Sequence, residues 1–297
     1  MASVREGEAV GMQAPDPRVA ELVGQLPNSD QPDAESKFTG PPWATVEKMC
    51  AEILAGGRER LVALVGLLRD PSRERWTSFR AEYLLHAIAL YVGARERRVE
   101  RRLFVETLAS LIGDAAESKA VRTRLIEELQ TTGGWGALDA LGGALLDADL
   151  CEPAARALVA LRRGAAGRVR AALPKAPAAC RAALAQALGV LADAEAVGAL
   201  IEILGDRNRE VRICAVWALA RTGDARGIDG VLAAVAADDG WESAQAVKAA
   251  FLLAEKLAAA GAKQEAARIY THLGARCSDP AEKHIRAAAE RGLEAAE

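Results

Sequence analysis

Aromatic residues make up only 4% of this 297-residue chain, and β-branched residues are sparse. Both classes are enriched in strands, so their scarcity argues against a sheet. No apolar run approaches the roughly 18–20 residues needed to cross a bilayer. The opening MASVREGEAVGMQAPDP has no apolar core of the secretory kind. The expected location is the cytoplasm, or a secreted or periplasmic one for a chain whose leader has been removed. The five cysteines (Cys50, Cys151, Cys180, Cys214, Cys277) form no C-x-x-C pair. An odd, dispersed set in a core-rich chain reads as buried thiols rather than a disulfide framework.

Chemistry-bearing motifs are missing as well. The three histidines (His86, His272, His284) have no partner at metal-ligand spacing. His86 lies in the apolar stretch EYLLHAIALY and reads as a core histidine, with Glu82 one turn before it on the same face. There is no G-x-S-x-G, no Walker loop, and no G-x-G-x-x-G between a strand and a helix. The expectation is a protein without catalytic residues, metal or cofactor. A net charge of −3 adds no global attraction to nucleic acid or to anionic membrane.

What is abundant is alanine, with leucine beside it. Both are inexpensive to hold in a helix, and alanine lets neighbouring helices approach closely. The fold class read from this is all-α. Residues 1–42 stand apart, with Pro15, Pro17, Pro27, Pro32, Pro41 and Pro42 interrupting a polar segment. One short helix fits there, capped by Asp16 and opened by Pro17. Its Val19, Leu22, Val23 and Leu26 fall at i, i+3, i+4 and i+7, a stripe suited to docking on the protein itself.

From Trp43 onward helix follows helix. The pattern predicts 43–55, 58–69, 74–92, 96–112, 117–131, 134–146, 151–162, 165–173, 177–191, 194–204, 208–221, 225–236, 241–260, 263–274 and 280–294. Short joints carrying Gly and Asp separate them, as at Gly205-Asp206 and Gly223-Asp224. These helices make about seven antiparallel pairs. Ala157-Leu158, Ala187-Leu188 and Ala218-Leu219 recur in successive second helices, at steps of 30 and 31 residues. Each pair is apolar on more than one side and needs neighbours to cover it, the mark of an α-solenoid.

In the clearest unit, Asp206, Val211, Arg212, Ala215, Ala218, Leu219 and Gly223-Asp224 resemble the pattern D-x-x-x-x-V-R-x-x-A-x-x-A-L-x-x-x-G-D of short HEAT-like repeats, as in phycobilin lyases and bacterial scaffolds. The resemblance implies that Asp and Arg order the turn between helices and stack along the array. Pro153 or a near neighbour falls where the earlier unit should carry its Arg, so the ladder is expected to break there. Residues 251–274, with Ala254, Gly261, Ala266 and Tyr270, resemble a tetratricopeptide helix pair. A closing helix is marked by Asp279 as cap, Pro280 at its first position and Glu282. The expected organisation is a single solenoid over 43–297: divergent helices to 130, HEAT-like repeats over 131–240, and a cap over 241–297.

Cys151 and Cys180 lie 29 residues apart, close to one repeat. Packed helix axes stand about 8–10 Å apart, whereas a disulfide needs Cα atoms within about 7 Å. Two buried thiols are therefore expected. From Pro153 to Ala192 there is no acid, while Arg156, Arg162, Arg163, Arg168, Arg170, Lys175 and Arg181 bring seven cations. Stacked repeats could align them toward an anion, or they could pair with acids flanking the stretch. Arg95, Arg97, Arg98, Arg101 and Arg102, interleaved with glutamates, read as a solvent-exposed helix. Trp217 lies off the main apolar face and is a candidate partner anchor. Trp135 and Trp241, each after a Gly at a helix start, are expected to cover the ends of neighbouring pairs.

The leading expectation is a monomeric, noncatalytic scaffold that binds a protein or peptide, with Arg156, Arg162, Arg163, Arg168, Arg170, Arg181 and Trp217 as candidate contacts. The alternatives are nucleic-acid or other anion binding through the basic stretch, and an enzyme like the phycobilin lyases. Membrane binding is not expected.

Overall fold

The computed structural model describes residues 16–27, 41–68, 75–276 and 282–296. Among them are sixteen α-helices, short 3-10 turns and no strand. They form two compact units, one ending at Ala137 and the other beginning at Leu138.

The first unit holds α1 (Pro17–Gly24), α2 (Trp43–Ala55), α3 (Gly57–Gly66), α4 (Arg75–Val92), α5 (Arg98–Ile112) and α6 (Lys119–Thr132). Eight residues are too few for a stable isolated helix, so α1 depends on its docking. The Asp16 side chain accepts from the N–H groups of Arg18 and Val19. Val19, Leu22, Val23 and Leu26 are all buried, against α3 and α4. The Arg18 guanidinium grips the Glu52 carboxylate of α2 with two nitrogens. At the far end of α4, Arg101 donates to the carbonyls of Val92, Gly93 and Ala94 at 2.7–2.8 Å, closing that helix end. One arginine of the mixed-charge run is thus structural. Another, Arg102, makes the expected i,i+4 pair with Glu106.

The second unit stacks helix pairs: α7 (Leu138–Ala144) with α8 (Cys151–Leu161), α9 (Ala165–Ala172) with α10 (Arg181–Leu191), α11 (Val197–Glu202) with α12 (Arg209–Thr222), α13 (Ile228–Val235) with α14 (Gly240–Ala259), and α15 (Lys263–Arg276) with α16 (Lys283–Ala296). The second helices α8, α10, α12 and α14 pack side by side in chain order. Small residues make this possible. Ala154, Ala157, Ala185, Ala187, Ala215 and Ala218 are all buried. At Gly189 the approach is closest: a Cβ there would stand 2.5 Å from the Trp217 ring and 2.9 Å from the Ala218 Cα.

Four expectations need correction. The helix expected over 134–146 is a 3-10 turn (Trp135–Ala137) followed by the shorter α7, because Gly133 and Gly134 take positive φ and Gly142-Gly143 weaken its end. Trp135 and Trp241 are both more than half exposed, since they sit at helix starts outside the apolar stripe, and they cover little. His86 is half-exposed rather than a core residue; its Nδ1 lies 2.9 Å from Glu128 of α6, not against Glu82. Cys151 and Cys180 are joined as a disulfide, with Cα atoms 5.8 Å apart. The spacing of helix axes misled here, because both residues lie at the starts of their helices, where the incoming turns bring the backbones closer than the axes. The expected caps Asp279 and Pro280 lie outside the described residues.

Candidate partner-binding surface

The arginines of the second unit divide by what holds them. Arg181, at the start of α10, donates to Asp206 at 2.7 Å across to the next repeat. Arg212 of α12 makes a two-pronged contact with the buried Glu242 of α14, at 2.6 and 2.7 Å, and also donates to the Asp206 carbonyl. Arg209 reaches Asp239 at 3.2 Å. Arg181 and Arg212 occupy the same register, 31 residues apart. The HEAT-type ladder is therefore built, and it runs from α10 through α12 to α14.

The acids of this ladder are held ionised. The N–H of Asn208, with Arg181, keeps the Asp206 carboxyl below the usual range. The N–H of Glu242 and the Arg209 guanidinium do the same for Asp239, and Arg212 does so for Glu242. Planar guanidinium-carboxylate forks fix distance and orientation together. The ladder sets the spacing of consecutive second helices rather than offering charge to a ligand.

The acid-free stretch is treated the same way in part. Arg168 pairs with Asp139, and Arg170 pairs with both Asp193 and Glu195. Together with Arg181, three candidate contacts are thus neutralised by acids of adjoining helices. Arg162 and Arg163 are exposed at the end of α8. Arg162 has φ 58° and ψ −67°, and the Leu161 carbonyl accepts from the Arg163 N–H at 2.7 Å. That is a γ-turn of the hand that strains any residue with a Cβ, by roughly 1–3 kcal/mol. Arg156 is exposed at the middle of α8 and has no acidic partner among the described residues. Trp217 is half-buried, lying on Gly189 of α10, with the Arg221 guanidinium 5.8 Å from its ring centre. Packing between repeats covers part of the indole.

In the first unit, Glu128 is a buried carboxylate that sequence reasoning missed. Its side chain is 1% exposed and lies 2.9 Å from both His86 and Arg124. Burial raises its carboxyl above the usual range, although His86 and Arg124 both oppose the rise. The signal was present: Glu128 falls on the stripe Val121, Leu125, Leu129 and Thr132. Among the described residues there is no cluster of three or more His, Cys, Asp or Glu side chains able to hold a metal, and no helix long and apolar enough to cross a membrane.

Repeating helix pairs, a ladder in register and small residues between second helices make the second unit an α-solenoid stack. Residues 165–250 match a model of HEAT repeats, and this part of the chain carries them. Among solved structures, the chain is similar to a crystal structure of an engineered protein at 16% identity and a TM-score of 0.47, over 94% of this chain and 88% of that one. It is also similar to the archaeal HEAT-like repeats protein from Thermococcus onnurineus NA1 at 13% identity and a TM-score of 0.35, over 86% of this chain and 97% of that one. No curated protein matches the sequence.

Proposed function

We propose that the chain is a noncatalytic scaffold that holds a protein or peptide on the solvent face of α8, α10, α12 and α14. The observation that carries this reading is register. The steps of 30 and 31 residues put equivalent exposed positions on neighbouring helices, and the arginine ladder holds α10, α12 and α14 at fixed spacing. A surface of that kind is organised before a partner arrives, so little ordering entropy is lost on binding. Nucleic-acid binding through the basic stretch is less well supported, because Arg168, Arg170 and Arg181 are already neutralised. A lyase-like activity rests on fold likeness, which does not carry function.

A photo-crosslinking residue at Gln186, exposed on α10, tests the surface against the same probe at Asp229, exposed on α13. A protein crosslinked from Gln186 alone, and then shown to form a complex when purified, is the expected result. A partner captured equally from Asp229, or no reconstituted complex, would refute the reading.

A further inference from the structure

The register fixes one row of side chains across the second helices. Arg156 of α8, Gln186 of α10, Trp217 of α12 and Lys248 of α14 follow one another at steps of 30, 31 and 31 residues. Arg156, Gln186 and Lys248 are exposed, and Trp217 is half-buried. One turn further along, Ala160, Val190, Arg221 and Leu252 form a second row. Val190 is exposed, and Arg221 lies beside Trp217, donating to the Gly189 carbonyl. Among the described residues, Arg156, Arg221 and Lys248 have no acidic partner.

No acid on these four helices sits in either row, although Glu152 lies one turn before Arg156 and Glu255 one turn after Leu252. Glu152 and Glu210 stand in the first turns of α8 and α12, and Glu255 lies toward the end of α14. Glu242 is buried in the ladder. What remains is a cation on α8, an apolar step at Val190 and Trp217, and cations on α12 and α14.

We infer that these rows bind an extended acidic peptide, with an apolar side chain set over Val190 and Trp217 and carboxylates toward Arg156 and Lys248. The inference rests on the scaffold reading and specifies its partner. Three helix steps of about 8–10 Å span roughly 24–30 Å. An extended chain covers that distance in about eight or nine residues, at about 3.3 Å each. Three cations over such a span match a peptide with two or three acids. They are sparser than the phosphates along one strand of a duplex, which come every ~3.4 Å of helix axis.

The test pans a phage-displayed library of random nonapeptides on the full chain. The enriched sequence is then measured by fluorescence anisotropy as a labelled synthetic peptide. Enriched clones should carry two or more Asp or Glu around an apolar residue. Arg156→Glu with Lys248→Glu should weaken the synthetic peptide about tenfold or more, with an unchanged melting temperature because both side chains are exposed. Lys175→Glu, off the rows, should change affinity less than about twofold. Enrichment of neutral or basic sequences, or indifference to the double reversal, overturns the acidic-peptide inference and leaves the scaffold reading standing. No enrichment at all overturns both. A nine-nucleotide oligo-dT that displaces the peptide at equal concentration, and is itself weakened by the double reversal, reassigns the rows to nucleic acid.

Discussion

Reducing the Cys151–Cys180 bond is expected to loosen the second unit by a calculable amount. The bond closes a loop between residues 29 apart in sequence. Removing that constraint returns about 12 cal/mol/K of chain entropy to the unfolded state, or about 3.6 kcal/mol at 25 °C. For a domain of this size each kcal/mol moves the melting point by about 2–4 °C, so the shift should be about 7–14 °C. Because repeats unfold partly one by one, the loss should concentrate in α7 to α10. Both cysteines are buried, so substitution alone would add a packing loss. The cleaner perturbation is a phosphine reductant added to the wild type, with a Cys151→Ala and Cys180→Ala double variant as the blank. Thermal melts followed by circular dichroism read the global change, and hydrogen exchange reads its place. The blank should not respond to reductant. The reasoning fails if nonreducing peptide maps show the 151–180 link while reductant leaves the wild-type melt within about 1 °C. It also fails if both thiols alkylate in the folded, oxidised protein.

Two further outcomes test the packing and the buried acid. Gly189→Ala gains about 1 kcal/mol of helix propensity but places a Cβ 2.5 Å from the Trp217 ring. Overpacking of this kind costs about 1–3 kcal/mol, so denaturant melts should show a net loss of up to about 2 kcal/mol. The loss should shrink in a Trp217→Leu background, and an equal loss in both backgrounds would clear the indole. Glu128 titrates with a folded-state pKa above its unfolded value, so the native state holds a proton that the unfolded chain has already released. Its stabilising contribution is complete below the unfolded value and is lost as pH rises through the folded one. Stability measured against Glu128→Gln should therefore fall across that window, and a parallel pair of pH profiles would contradict the assignment.

The pairs and their register were legible because they rest on spacing. Alanine and leucine at steps of 30 and 31 residues, with Gly-Asp joints, are enough to place most helices of the second unit. Charge partners were less legible, since an arginine's periodicity says which row it occupies but not which acid the next turn brings to it. Arg212 and Asp206 both stand in the repeat pattern, yet Glu242, which Arg212 holds most firmly, belongs to no motif. Contacts such as His86 with Glu128, 42 residues apart, depend on how helices of irregular length cross, and no period predicts them.

The register also explains where the ladder ends. The position of Arg212 and Arg181 corresponds, one unit earlier, to Cys151. An arginine there would need an acid near residue 176, by the offset from Arg181 to Asp206, or near 181, by the offset from Arg212 to Glu242, and the chain has Ala176 beside Lys175 and Arg181 instead. The ion-pair rung is thus absent on both sides at once. Cys151 instead bonds to Cys180, the residue just before Arg181, so α8 is tied to α10 by a covalent link adjacent to the missing rung. An ionic rung can be remade with any nearby acid and weakens with salt, whereas the sulfur link does neither and yields to reductant. The array therefore has two kinds of fastening in sequence. Salt should loosen α10, α12 and α14 from one another, and reductant should loosen α8 from α10. Exchange protection measured under each condition separately would show two different segments opening if this division is right, and one common segment if the disulfide and the ladder hold the same contact.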